Sequence, residues 1–135
     1  MKGIADTGFL VAFLNRSDRH HAWAVALAKQ VDEPLLTCDA VLAETAFHME
    51  DAATTLALVR EGLVAPNFSV AQEMPRLVRL AQRYADRRPD LADLCLVRLS
   101  ELYPKYSVIT VDVGDFRVYR RNQREVIPLI HPPGL

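Results

Sequence analysis

The run SVITV at 107–111 is the most β-branched stretch of the chain, and it ends directly on Asp112; the short apolar run at 2–5 likewise ends on Asp6. β-Branched residues suit the pleated, half-buried surface of a sheet. Between these two runs the apolar spacing changes to the helical period: Trp23, Leu27 and Val31 recur at i, i+4 and i+8. Short strands alternating with helices predict an α/β fold, a parallel sheet covered on both faces and joined by right-handed crossovers.

The remaining elements follow from the same rules. A first helix is expected over 8–14, a second over 20–31 and a strand at LLTC (35–38). The helix expected over 39–50 has Val41, Leu42, Thr45 and Met49 as its inner stripe and Asp39 as N-cap. Residues 53–62 form another helix, closed by Gly62 just past its end. Helices are expected over 75–87, after Pro75, and over 90–103, after Pro89, with a short one over 115–120. EVIPL (125–129) reads as an edge strand, because Pro128 cannot donate to a central ladder. The stretch 63–72 reads as a loop with at most a short extended segment.

At 135 residues, half of them hydrophobic, residues 1–135 are expected to form a single domain with a core that needs no covalent staples. Two cysteines, Cys38 and Cys95, both in apolar surroundings, suggest buried thiols and neither a disulfide framework nor a zinc site. The expectation is a soluble cytoplasmic protein, since no signal-peptide pattern or run of about 18 apolar residues is present. The formal charge of −1 supplies no general basic field, so a polyanionic partner would need a local patch.

The chemistry is in the acids. In open α/β sheets, sites form beyond the carboxyl ends of the strands, where strand order reverses. Asp6 and Asp112 sit at two such ends, with Asp115 three residues on. Glu44 lies beside the buried stripe of its helix, and Asp90 and Asp93 open the helix after Pro89. Converging carboxylates repel unless cations neutralise them, and oxygen-only donors suit Mg²⁺ or Mn²⁺. Two such ions about 3.5–4 Å apart would activate water and stabilise the leaving oxygen in phosphodiester cleavage. Each acid also has a plainer reading. Asp6 fits an N-cap, Asp90 fits one better still, and Asp112 and Asp115 could simply end a strand.

Taken in order, the segments IADTGFLVAFLNRSDRHHAWA, LAE, DLADLCLVRLSE and VITVDVGDFRVYR resemble the PIN-domain ribonucleases, especially the VapC-type toxins of bacterial and archaeal toxin–antitoxin pairs. The resemblance spans nearly the whole chain. It implies a three-layer, Rossmann-like domain with about five parallel strands, an endoribonuclease activity dependent on Mg²⁺ or Mn²⁺, a homodimer and a cognate antitoxin protein. It assigns metal binding and catalysis to Asp6, Glu44, Asp93 and Asp112, with Asp115 as an outer ligand. Thr7 and Thr110 become hydroxyl supports; Asp90, apart from the resemblance, is read as a cap that supports the site. VDVGDF leaves two candidates for the fourth ligand, and Asp112 is preferred because it ends the strand. Gly8 stands where a second small polar residue is common, and is expected to let the backbone turn tightly into the helix.

An RNA substrate calls for local cations. Arg76, Arg79 and Arg83 share a helix face, with Arg87 and Arg88 following; Arg117, Arg120, Arg121 and Arg124 come after the last acid and are the preferred set. His20 and His21 read as helix-start residues, and His48, one turn past Glu44, as a possible neighbour of the site. An apolar stretch at Ala53, Leu56, Val59 and Leu63 is a candidate groove for the antitoxin or the dimer face, or simply core. Other doubly wound readings fit less well. A phosphoacceptor receiver domain needs an acid pair after the first strand and a correctly placed lysine, and a haloacid-dehalogenase pattern needs a second Asp two residues past Asp6. A PIN-like module that binds RNA or protein without cleaving it is the alternative.

Overall fold

The computed structural model describes residues 1–135. In chain order the elements are β1 (Gly3–Ala5), α1 (Thr7–Leu14), α2 (His21–Ala28), β2 (Leu35–Leu36), α3 (Asp39–Met49), α4 (Ala52–Arg60), β3 (Val64–Ala65) and α5 (Val70–Arg83). A 3₁₀ turn (Ala85–Arg87) follows, then α6 (Leu91–Leu102), β4 (Ser107–Ile109), α7 (Val113–Val118), β5 (Arg120–Arg121), β6 (Glu125–Val126) and β7 (Leu129–Ile130). Five strands form one parallel sheet in the order β3-β2-β1-β4-β7, flanked by helices, which is the three-layer α/β architecture expected. The chain first builds outward from β1 through β2 to β3, then crosses to β1's other side with β4. The order therefore reverses between β1 and β4, where Ile4 lies level with Val108.

The core follows from the apolar pattern. Ile4, Ala5, Val108 and Ile109 in the central strands are fully buried, as are Phe9 and Leu10 of α1 and Cys95, Leu96 and Leu99 of α6. α6 is buried along most of its length, so a helix of mixed composition becomes the main support of the sheet. Phe9 and the only tryptophan, Trp23, meet edge to face at 5.9 Å and lock α2 onto α1. Both cysteines are buried and free. No helix is long and apolar enough to cross a membrane.

Several element boundaries differ from expectation, each for a local reason. α5 starts at Val70, not after Pro75. Ser69 caps it, accepting from Gln72 N at 3.2 Å, and Pro75 lies inside the helix on its exposed side. Asp39 is the first residue of α3, not its cap; that position belongs to Cys38, whose side chain makes no capping bond. α2 is confined to His21–Ala28, and the short helix after β4 covers Val113–Val118. EVIPL splits: Glu125–Val126 pairs antiparallel with Arg120–Arg121, while Leu129–Ile130, beyond Pro128, forms the edge of the main sheet. The unassigned stretch 63–72 contains β3 and the first turn of α5. Gly62, in contrast, ends α4 as expected, at φ +85° just beyond the capping Glu61.

Candidate acidic active site

β1 and β4 deliver their acids side by side. Asp6 N donates to Ile109 O at 3.0 Å, which extends the β1–β4 ladder by one residue and aims the Asp6 side chain past the sheet edge. The same residue caps α1: Asp6 Oδ1 accepts from Thr7 N at 2.7 Å. Capping and site roles thus coincide on one buried carboxylate. Its other oxygen, Oδ2, accepts from Thr110 Oγ1 at 2.7 Å, and that hydroxyl also accepts from Asp112 N at 2.9 Å. Thr110 therefore fixes both strand-end acids at once.

Glu44 enters from α3, where it lies half-buried beside Val41 and Thr45. Thr7 Oγ1 donates to Glu44 Oε1 at 2.7 Å, tying the start of α1 to α3. Asp90 caps α6 by accepting from Asp93 N at 2.8 Å. Asp93, in the first turn, accepts from Tyr119 Oη at 3.0 Å. Tyr119 is itself buried and packed edge to face against Tyr84 and Phe116.

These groups line one hollow of about 280 Å³. Its walls hold Asp6, Asp18, Glu44, Asp90, Asp93 and Asp112, with Thr7, Gly8, Val11, Val111 and His48 completing them. No lysine or arginine lines it. The electrostatic consequence is visible in the carboxyl groups. Asp6 is raised from its ordinary 3.8 to about 6, chiefly by burial, with Glu44 and Asp112 adding repulsion and the Thr110 and Thr7 hydrogen bonds pulling it down. Asp93 is raised to about 7 by burial, then by Asp90 and Asp6, against the Tyr119 hydrogen bond. Asp112 is raised by desolvation and by its neighbour Asp115.

Gly8 earns its place by close approach. A Cβ there would lie 2.4 Å from Val111 Cγ2, so a side chain would push α1 off the segment that follows β4. The constraint is packing, not a tight turn, since Gly8 is not among the glycines at positive φ.

The carboxylates and the Thr7 hydroxyl offer oxygen donors that fit a hard divalent cation, with His48 the one nitrogen donor on the wall, and the hollow is strongly short of positive charge. Glu44 Oε2 and Asp93 Oδ1 take no protein hydrogen bond and are free to ligate directly or through water. No three carboxylate, imidazole or thiolate groups already close on a common point.

The other residues singled out in the sequence fall differently. Asp115 turns to Arg87, whose Nη2 donates to its Oδ1 at 2.8 Å, and so stands behind Asp112 outside the hollow. Arg117 donates to Leu135 O at 3.1 Å, Arg120 Nη1 to the carbonyls of Arg117, Val118 and Tyr119, and Arg121 to Glu125 and Pro104 O. None of the three faces the hollow; they brace the β5–β6 hairpin and the chain terminus. His48 does line it, whereas His21 is held by Ala12 O. Sequence reasoning missed Asp18, which reads there as an ordinary loop acid, and Tyr119. For Tyr119 a signal existed: a polar-tipped aromatic one turn after Asp115 and three residues after the apolar Phe116.

A family model described as PIN domain matches residues 4–121, which takes in every acid of the hollow and Tyr119. Comparison with curated proteins gives no match.

Proposed function

This chain belongs to the PIN-domain family, whose members are generally nucleases, and from that premise we propose that it is an endoribonuclease that hydrolyses RNA phosphodiester bonds with Mg²⁺ or Mn²⁺. The observation that carries this reading is the hollow at the β1–β4 switch point, walled by six carboxylates and by no lysine or arginine. Asp6, Glu44, Asp93 and Asp112 would hold the cation, with Asp90 and Asp115 supporting from α6 and from behind Asp112. Bound there, a divalent cation lowers the pKa of an attacking water and offsets charge gathering on the phosphate.

The protein's own contribution is orientation. Thr110 fixes the Asp6 carboxylate and the Asp112 backbone together. Thr7 positions one Glu44 oxygen and leaves the other free. Tyr119 does the same for Asp93. Such supports hold ligands within the narrow tolerance that metal-assisted hydrolysis demands.

The resemblance to VapC-type toxins extends the reading to a cytoplasmic toxin that forms a homodimer and is held by a cognate antitoxin. Support comes from the apolar surface on the face formed by α1, α2 and α4. There Phe13, Val25, Ala28, Leu58 and Leu63 line a hollow of about 340 Å³. Phe47 on α3 and Leu56 on α4 are exposed as well, at 80% and 62%.

The test is cleavage of an end-labelled RNA pool of mixed sequence by purified protein with Mg²⁺ or Mn²⁺, beside an EDTA control and Asp93→Asn. Metal-dependent cutting by the wild type and its loss in the variant is the expected result. Intact RNA in every lane would favour the non-cleaving binding module.

A further inference from the structure

We propose that an arginine-lined hollow between α5 and α6, away from the acids, binds a backbone phosphate of the RNA at a distance from the bond being cut. This rests on the RNA reading above and extends it to the path of the substrate.

The hollow, about 110 Å³, is lined by Arg76, Arg79, Leu80 and Arg83 from α5, Glu101 from α6 and Gln123 from the β5–β6 turn. Its floor is built. The Glu101 side chain is 1% exposed and fully engaged, by Arg76 Nε and Nη2 at 3.1 and 3.3 Å, Arg98 Nη1 at 3.2 Å and Asn122 N. A buried carboxylate used this way fixes guanidinium groups in place. Arg98 is further held by Glu73.

The two remaining arginines are not consumed by this network. Arg79 makes no ion pair or side-chain hydrogen bond, and Arg83 donates to the carbonyl of Gln123, at 2.8 Å, and lies over the Tyr84 ring at 5.7 Å, with no carboxylate partner. With Arg76 and Arg98 balanced by Glu73 and Glu101, two positive charges stay unmatched at the mouth. A phosphate diester carries the charge and the paired oxygens that guanidinium forks recognise.

Position links the hollow to the acidic site. Arg76 on α5 meets Glu101, late in α6, whereas Arg87, beyond the end of α5, meets Asp115 beside Asp112. Glu101 lies eight residues past Asp93 on α6, which places the hollow about 12 Å along the helix from the acidic site. Arg79 and Arg83 occupy the interval between the two ion pairs. A few nucleotides of extended single strand span that interval, and a basic strip tracking the backbone without reading bases needs no aromatic partner.

The test measures binding without cleavage. In an Asp93→Asn background, a fluorescein-labelled single-stranded RNA of about 12 nucleotides is titrated by anisotropy across a salt series, with Arg79→Gln, Arg83→Gln, both together, and Arg60→Gln as a charge-matched control on α4. The double variant should bind about tenfold more weakly, and its log–log salt dependence should be shallower by about 1.4, two phosphate contacts on a single strand. Arg60→Gln should match the parent. Arg79→Gln makes the test independent of folding, because Arg79 makes no ion pair or hydrogen bond to lose. RNA binding by the parent that is insensitive to both arginines would overturn this inference and leave the nuclease reading standing. No RNA binding by the parent, together with no cleavage by the wild type, would overturn both.

Discussion

Thr110 Oγ1 donates to Asp6 Oδ2 across 104 positions of sequence, at 2.7 Å, with both residues buried. This one bond holds the most deeply buried acid of the site in register with the strand that carries Asp112. It also pulls down a carboxyl group that burial pushes up. In Thr110→Val the shape is kept and the donor is lost, so Asp6 should rise above about 6. Mg²⁺ or Mn²⁺ affinity should fall about 10- to 100-fold, the usual effect of removing a support behind a metal ligand. Isothermal titration with Mn²⁺ measures it directly.

The raised carboxyl groups make metal-free stability depend on pH in an unusual direction. Asp6 titrates near 3.8 when unfolded and near 6 when folded, and Asp93 near 7 when folded. Between these values the folded state binds more protons, so stability falls as pH rises. The loss begins above pH 4 and is complete once pH passes about 7. Asp6 alone accounts for a few kcal/mol. Urea unfolding in EDTA should show a falling midpoint from pH 5 to 8, and Mg²⁺ should restore it at the upper end.

Removing one charge should separate stability from activity. Asp93→Asn relieves repulsion from Asp90 and Asp6 while keeping the shape. In EDTA at pH 8 its melting temperature should exceed that of the wild type, by several degrees for a gain of about 1 kcal/mol. Cleavage should fall by at least about 100-fold. A variant less stable than the wild type under these conditions would show that the site is not starved of cation.

Tyr119→Phe tests the aromatic support behind Asp93. Its ring packs on Tyr84 and Phe116, and this packing survives the change; the 3.0 Å bond to Asp93 does not. The expected outcome is cleavage about tenfold slower with KM little changed, and weaker Mn²⁺ binding by titration. Loss of fold by circular dichroism would point instead to a purely structural phenol.

Gly8→Ala places a methyl group against Val111. Overpacking of this kind costs about 1–3 kcal/mol. Val111→Ala in the same chain should recover most of it, an interaction that a double-mutant cycle in urea isolates. Full additivity would place the strain elsewhere.

Much of this was legible because two kinds of signal coincide. β-Branched SVITV and the acids at the ends of two strands fix β4, β1 and the switch point together, and the helical period sets α6 with Asp93 in its first turn. Glu44 is marked by its place beside the buried stripe of α3, where an acid needs a partner, and the family resemblance gives it a role. What was harder to read was partly local and partly dependent on distant partners. Pro75 read as a helix start, yet Ser69 with Gln72 three residues on is a capping signature that begins α5 a turn and a half earlier. EVIPL reads as one strand, and only Arg120–Arg121 folding back onto it reveals two. The arginines after Asp115 lie outside the acidic hollow, where Arg117, Arg120 and Arg121 each donate to a nearby carbonyl, an arrangement set by the β5–β6 turn and invisible to spacing. The side chains of Asp18 and Tyr119 reach the site through tertiary packing, which local patterning does not encode.

The pairing of β1 with β4 has a consequence for synthesis. A ribosome delivers the chain from its first residue, and domains fold as units while it emerges. Until β4 has cleared the exit tunnel, Asp6 lacks Thr110 and faces no Asp112, and the sheet lacks the strand that sits beside its centre. A nascent chain therefore carries five of the hollow's six acids before the sixth, Asp112, can join them. On the proposed nuclease reading, competence would arrive late and all at once, and a truncated or stalled product should leave an end-labelled RNA pool uncut.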